Sequence, residues 1–145
     1  MLQQLVSQDL HEFNCWIEPA VGTPMGGIVI LQEIFGVTEQ LKGVARRYAQ
    51  QGYQVAIPAL FDRQQPNTVV DFDQPEYGLG IVAQLTLEET MQDVETAVSA
   101  LAKDGLKVGV IGFCWGGGLA LHCAQTLNIQ AAVSFYGTRL GQYLD

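Results

Sequence analysis

The chain is short of positive charge: seven Lys and Arg stand against fifteen Asp and Glu, a formal net charge of -8 at pH 7. A basic face is what a protein uses to neutralise phosphates, so nucleic acid is not an expected partner. Histidine is scarcer still, with two residues, and the three cysteines are odd in number and follow no zinc-ligand spacing. Neither a disulfide framework nor a metal centre is indicated. No apolar run reaches the length of a membrane-crossing helix, and the opening MLQQLVSQDL has no basic lead into an apolar core. With reduced thiols, these readings predict a cytoplasmic protein that uses neither membrane nor nucleic acid. Internal repeats, low-complexity tracts and interdomain linkers are also missing.

What is present is apolar: 48% of 145 residues are hydrophobic and 15% charged, the balance of a folded domain, here expected to span residues 1–145. The run 26–36 carries Ile28, Val29, Ile30 and Leu31 without alternation, as a strand buried on both faces of a parallel sheet does. Thr38 then caps a helix with Leu41, Val44, Ala45 and Tyr48 at helical spacing, ended by Gly52. A second buried strand follows at 53–60. Residues 62–85 mix Pro, Asn, Asp and Gly with few periodic apolar positions and read as a long surface excursion. Thr86 and Glu89 form a capping box ahead of a helix bearing Met91, Val94, Val98 and Leu101, ending near Gly105. Strands at 107–113 and 131–137 flank a helix with Leu119, Ala120, Cys123 and Leu127. Strands alternating with helices predict an α/β fold with a doubly wound, mostly parallel sheet and functional loops at the strands' carboxyl ends.

The stretch GVIGFCWGGGLA, 109–120, places Cys114 where a strand turns sharply into a glycine-rich helix start. Gly112-Phe113-Cys114-Trp115-Gly116 is a G-x-C-x-G form of the nucleophile elbow, in which a strained turn lifts the reactive side chain above the sheet. A sulfur at a helix N-terminus also gains from the first amides and the helix dipole, which favour thiolate. A free cysteine is often simply a small buried hydrophobe. A packed core position, however, has no need of that backbone. A dinucleotide-binding reading fails in register, because Gly112-Phe113-Cys114 lacks the second glycine of G-x-G-x-x-G.

QEIFG (32–36) and GFCWGG (112–117), with the strand and helix order between them, resemble the dienelactone hydrolases, a family with the α/β-hydrolase fold. The resemblance runs over essentially the whole chain. It implies hydrolysis of a small ester or lactone through a cysteine acyl-enzyme, without metal or organic cofactor. By position it makes Cys114 the nucleophile and Glu33 the carboxylate that pairs with the resting thiol. It also makes the amides of Ile34 and Trp115 the oxyanion-hole donors, where two fixed N–H groups stabilise the tetrahedral intermediate. Taken alone, Glu33 reads as a loop carboxylate or a helix cap, and the indole of Trp115 as packing.

The family's triad also needs an aspartate and a histidine following later strands, beyond the end of this sequence. The expectation is therefore a chain lacking its last strands and helices. His122 lies eight residues past Cys114 on one predicted helix, about 12 Å along its axis and out of hydrogen-bond reach. His11 reads as surface or edge-strand structure, Asp145 as a frayed terminal residue, and Arg63 as a solvated loop side chain. With those strands missing, 131–137 becomes an exposed apolar edge, which predicts association through that edge, exchange of elements between copies, or a piece of a longer protein. Two other functions compete with the hydrolase. One is a non-catalytic binding protein on a degenerate hydrolase scaffold. The other is a thiol redox sensor, disfavoured because Cys123 lies about 13 Å along the helix from Cys114.

Overall fold

The computed structural model describes residues 1–143. Its strands are β1 (Leu2–Val6), β2 (Glu12–Glu18), β3 (Gly26–Leu31), β4 (Tyr53–Pro58), β5 (Val108–Phe113) and β6 (Ala131–Phe135). The helices are α1 (Glu39–Gln50), α2 (Pro75–Ala83), α3 (Leu87–Ala102) and α4 (Trp115–Thr126). One sheet runs in the order β1-β2-β4-β3-β5-β6, with β4, β3, β5 and β6 mutually parallel and β1 and β2 antiparallel at one side. Every position of β3 is buried, as the unbroken apolar run requires of a strand covered on both faces.

Alternation along β3 divides the core. Ile28 and Ile30 meet Leu41 and Ala45 of α1 on one face, together with Val55, Ile57 and Ile111. Val29 and Leu31 face the opposite layer, packed with Val94, Ala97, Val98 and Leu101 of α3 and Leu119, Ala120 and Cys123 of α4. The helix signals lie where the sequence puts them. Thr38 accepts the Leu41 N–H at 3.1 Å, and Gly52 follows α1 with φ +99°. The Thr86 hydroxyl accepts the Glu89 N–H at 3.1 Å and donates to the Glu89 carboxylate at 3.0 Å.

The N-terminal segment is a hairpin whose second strand alternates Phe13, Cys15 and Ile17 inward with Asn14 and Trp16 half-buried. Two expectations change, at residues 62–85 and at Arg63. Residues 62–85 are not structureless: a 3-10 turn covers Leu60–Arg63, and α2 occupies the later part. Gly78 and Gly80 disguise that helix by lowering its propensity, and its hold is tertiary, through buried Ile81 and Val82. Arg63 is not solvated. Its side chain is 8% exposed and pairs with Asp9 at 2.7 Å, Asp93 at 2.9 Å and Glu89 at 3.3 Å. Strand β6 is mostly exposed and lies at the end of the sheet order, the edge position expected for 131–137.

Candidate active site

Strand β5 ends at Phe113 and α4 begins at Trp115, so the turn between them is one residue, Cys114, at φ 57° and ψ -117°. A non-glycine residue in this region stores roughly 1–3 kcal/mol and persists only when its surroundings impose it. Here they do. The Cys114 N–H donates to the Phe135 carbonyl at 3.0 Å, and the Cys114 carbonyl accepts the Gly117 and Thr138 amides at 2.9 and 3.1 Å. Two flanking glycines are required by crowding: a Cβ on Gly112 would overlap the Gly116 carbonyl, and one on Gly116 would overlap the carbonyls of Leu31 and Gln32. The elbow is thereby pressed against the end of β3.

Cys114 is partly exposed, whereas Cys15 and Cys123 are buried, and desolvation pushes both of their thiols up to about 12. Thiolate is the attacking form, so burial disarms those two near neutral pH. The amides of Trp115 and Ile34 take part in no hydrogen bond among the described residues, as the first turn of α4 leaves its own amides. The indole of Trp115 is packing: it is buried and stacks on Phe61 with ring centroids 5.8 Å apart.

The register pairs Leu31 with Gly112 and Phe113 with Phe135, so the loops leaving β3, β5 and β6 emerge side by side at the strands' carboxyl ends. Glu33, on the first of these loops, is partly exposed and accepts the Tyr136 phenol at 2.9 Å. Burial pushes that phenol up to about 12, helped by its hydrogen bond to Glu33 and by the negative charges of Glu33 and Cys114. Tyr136 thus joins the loop of Glu33 to the strand end whose Phe135 holds the Cys114 amide.

Fully buried Gln32 ties the first loop down: its side-chain oxygen accepts the Leu60 N–H at 3.0 Å, and its nitrogen donates to the Glu33 carbonyl at 3.1 Å. Helix α2 presses on the same loop, since a Cβ on Gly78 would overlap the Ile34 carbonyl. Phe35 meets Phe72 edge to face at 4.9 Å.

The histidines are elsewhere. His122 sits on α4 with its ring 5.3 Å from that of Tyr143, and His11 stacks on Phe13 with Nε2 3.9 Å from Asp93. Asp145 lies outside the described residues. Among those residues no cluster of three or more His, Cys, Asp and Glu suits a metal ion, and no helix is long and apolar enough to cross a membrane. Sequence reading missed Tyr136 and the function of Gln32. The one signal for Tyr136 was its place just past a strand neighbouring that of the elbow.

A mostly parallel sheet between helical layers, with a one-residue strained elbow beside the loop after a central strand, defines a protein of the α/β-hydrolase type. The chain belongs to the dienelactone hydrolase family, whose model matches residues 15–145. It is 37% identical over 130 residues to a Methylorubrum extorquens protein assigned as a carboxymethylenebutenolidase, covering 85% of this chain and 44% of that one. To the carboxymethylenebutenolidase of Pseudomonas putida it is 32% identical over 144 residues, covering 95% of this chain and 61% of the relative. A crystal structure assigned as a dienelactone hydrolase from Klebsiella pneumoniae superposes with a TM-score of 0.77 at 28% identity, over 94% of this chain and 60% of that one. The chain therefore spans about half the length of the curated relatives it matches.

Proposed function

We propose that this chain carries the nucleophile of a cysteine-dependent hydrolase acting on small esters or lactones. The observation that carries the reading is the strained Cys114 elbow set against the loop bearing Glu33. Glu33 takes the thiol proton, and the sulfur, keeping its electron pair, attacks the carbonyl carbon. The Ile34 and Trp115 amides receive the oxygen as it becomes an oxyanion. Collapse breaks the carbonyl carbon–oxygen bond to leave a thioester on Cys114, and the alkoxide takes the proton back from Glu33, departing as an alcohol from an ester or staying on the acyl chain as a hydroxyl from a lactone. Water then cleaves the thioester, giving the acid and restoring the thiol.

That last step needs a general base, and neither His11 nor His122 serves Cys114. The 145-residue chain should therefore acylate and then turn over poorly. Incubation with p-nitrophenyl acetate, read by peptide mass spectrometry, tests the reading. An acetyl adduct on Cys114, lost in Cys114→Ala, is the expected result. A Cys114 left unmodified while the chain stays folded would instead favour a non-catalytic binding role.

Reduced Cys15 and Cys123, buried without partners, support a reducing, cytoplasmic setting. The β6 edge exposes Val133 and Phe135, which supports self-association of this chain through residues 131–137. Sedimentation at rising concentration should show association, and Val133→Lys should weaken it.

A further inference from the structure

Tyr136 is a misfit by the ordinary rules of packing. It is a bulky residue with φ 36°, and 66% of its surface is exposed, so the core does not impose that backbone. Its backbone is nevertheless continuous with the elbow: the preceding Phe135 accepts the Cys114 N–H and stacks on Phe113 at 5.1 Å, while the Tyr136 ring lies tilted 6.3 Å from Phe113. The side chain's polar contact is with Glu33, on a loop 103 residues earlier.

We propose that Tyr136 is a positioning residue: its phenol occupies Glu33 Oε2 at 2.9 Å and so presents Glu33 Oε1 to the proton of Cys114. This rests on the hydrolase reading above and deepens it. In the step concerned the S–H bond breaks, an O–H bond forms on Glu33, and the electron pair stays on sulfur. Tyr136 remains a neutral donor through the working pH range, since its phenol is held near 12. A free carboxylate on an exposed loop samples several rotamers. The phenol removes that freedom before the thiol must be deprotonated.

The test is the rate of Cys114 alkylation by iodoacetamide in the 145-residue chain, compared at pH 7 and pH 10 for wild type, Tyr136→Phe, Glu33→Gln and the double variant. Phenylalanine keeps the ring contacts and removes only the hydroxyl. Tyr136→Phe should be slower at pH 7 by about tenfold, the effect of losing one hydrogen bond to a charged group. At pH 10, where hydroxide ionises thiols without help from Glu33, the deficit should shrink to within about twofold. Glu33→Gln should be at least as slow at pH 7, and adding Tyr136→Phe to it should cost nothing more. If Glu33→Gln is slow but Tyr136→Phe reacts as wild type, the positioning role is overturned while the site reading stands. If Tyr136→Phe is equally slow in the Glu33→Gln background, or at pH 10, the phenol acts through packing and the proposal falls. If Glu33→Gln matches wild type, Glu33 is not the proton acceptor, and both readings fall.

Discussion

The side-chain amide of Gln32 donates to the carbonyl of Glu33 at 3.1 Å while its oxygen accepts the Leu60 N–H, so one buried side chain fastens two segments. In a trans peptide the C=O and N–H point in opposite directions. Pinning the Glu33 carbonyl therefore aims the N–H of Ile34, a proposed oxyanion donor, away from Gln32. Gln32→Leu should leave the Leu60 N–H buried and unpaired, costing about 1–3 kcal/mol in urea denaturation. It should also slow acylation by p-nitrophenyl acetate about a hundredfold, the effect of losing an oxyanion donor. An unchanged acylation rate in a folded but destabilised variant would show that the Ile34 amide is not such a donor.

Gly116 separates steric need from mere glycine content. Its Cβ position is occupied by the carbonyls of Leu31 and Gln32, whereas Gly43, in the middle of α1, has nothing within 4 Å. Gly116→Ala should destabilise by about 2–4 kcal/mol and disturb the loop that carries Glu33. Gly43→Ala should instead stabilise by about 0.5–1 kcal/mol, from helix propensity alone. Thermal melts of the two variants check both signs, and equal shifts would refute the crowding argument.

The β-α order, both capping threonines and the elbow were legible because each is a local pattern: an unbroken apolar run, a Thr three residues before a helical amide, a cysteine between spaced glycines. What escaped reading depends on partners distant in sequence. Helix α2 contains Gly78 because the Ile34 carbonyl crowds it, and a glycine seen without that neighbour reads as a loop. Arg63 read as solvated because Asp9 and Asp93, its partners, lie 54 and 30 residues away. Tyr136 is legible only once the sheet order sets β6 beside β5.

Arg63 joins the β1–β2 turn, the 3-10 turn and α3. Asp93 is fully buried, and burial raises its carboxyl above the ordinary range against the opposing pull of Arg63. Arg63 with Ser7 holds the Asp9 carboxyl well below that range. Arg63→Ala strands the Asp93 charge and should cost about 3–5 kcal/mol, with Asp93→Asn in the same background restoring part of it. The pH dependence has a definite sign. Asp93, whose carboxyl is raised by burial, takes up its proton as pH falls and then no longer needs Arg63, whereas Asp9, held low, keeps its pairing with Arg63 down to pH 4. The gap between wild type and Arg63→Ala should therefore narrow from pH 8 to pH 4. A gap independent of pH would mean that the loss is one of packing.

Cys15 and Cys123 make the fold sensitive to alkali. Their thiols ionise near 9 when unfolded and near 12 in the folded chain, because burial disfavours the thiolate. A folded value raised above the unfolded one gives stability that is complete below about pH 9 and lost as pH climbs toward 12. One unit above the unfolded value, at pH 10, each thiol should withdraw about 1.4 kcal/mol. Urea midpoints measured from pH 8 to pH 10 should fall in wild type and fall less steeply in Cys123→Ala, even though that variant starts lower from the lost packing. Parallel slopes would move the alkaline loss away from Cys123 and onto other groups.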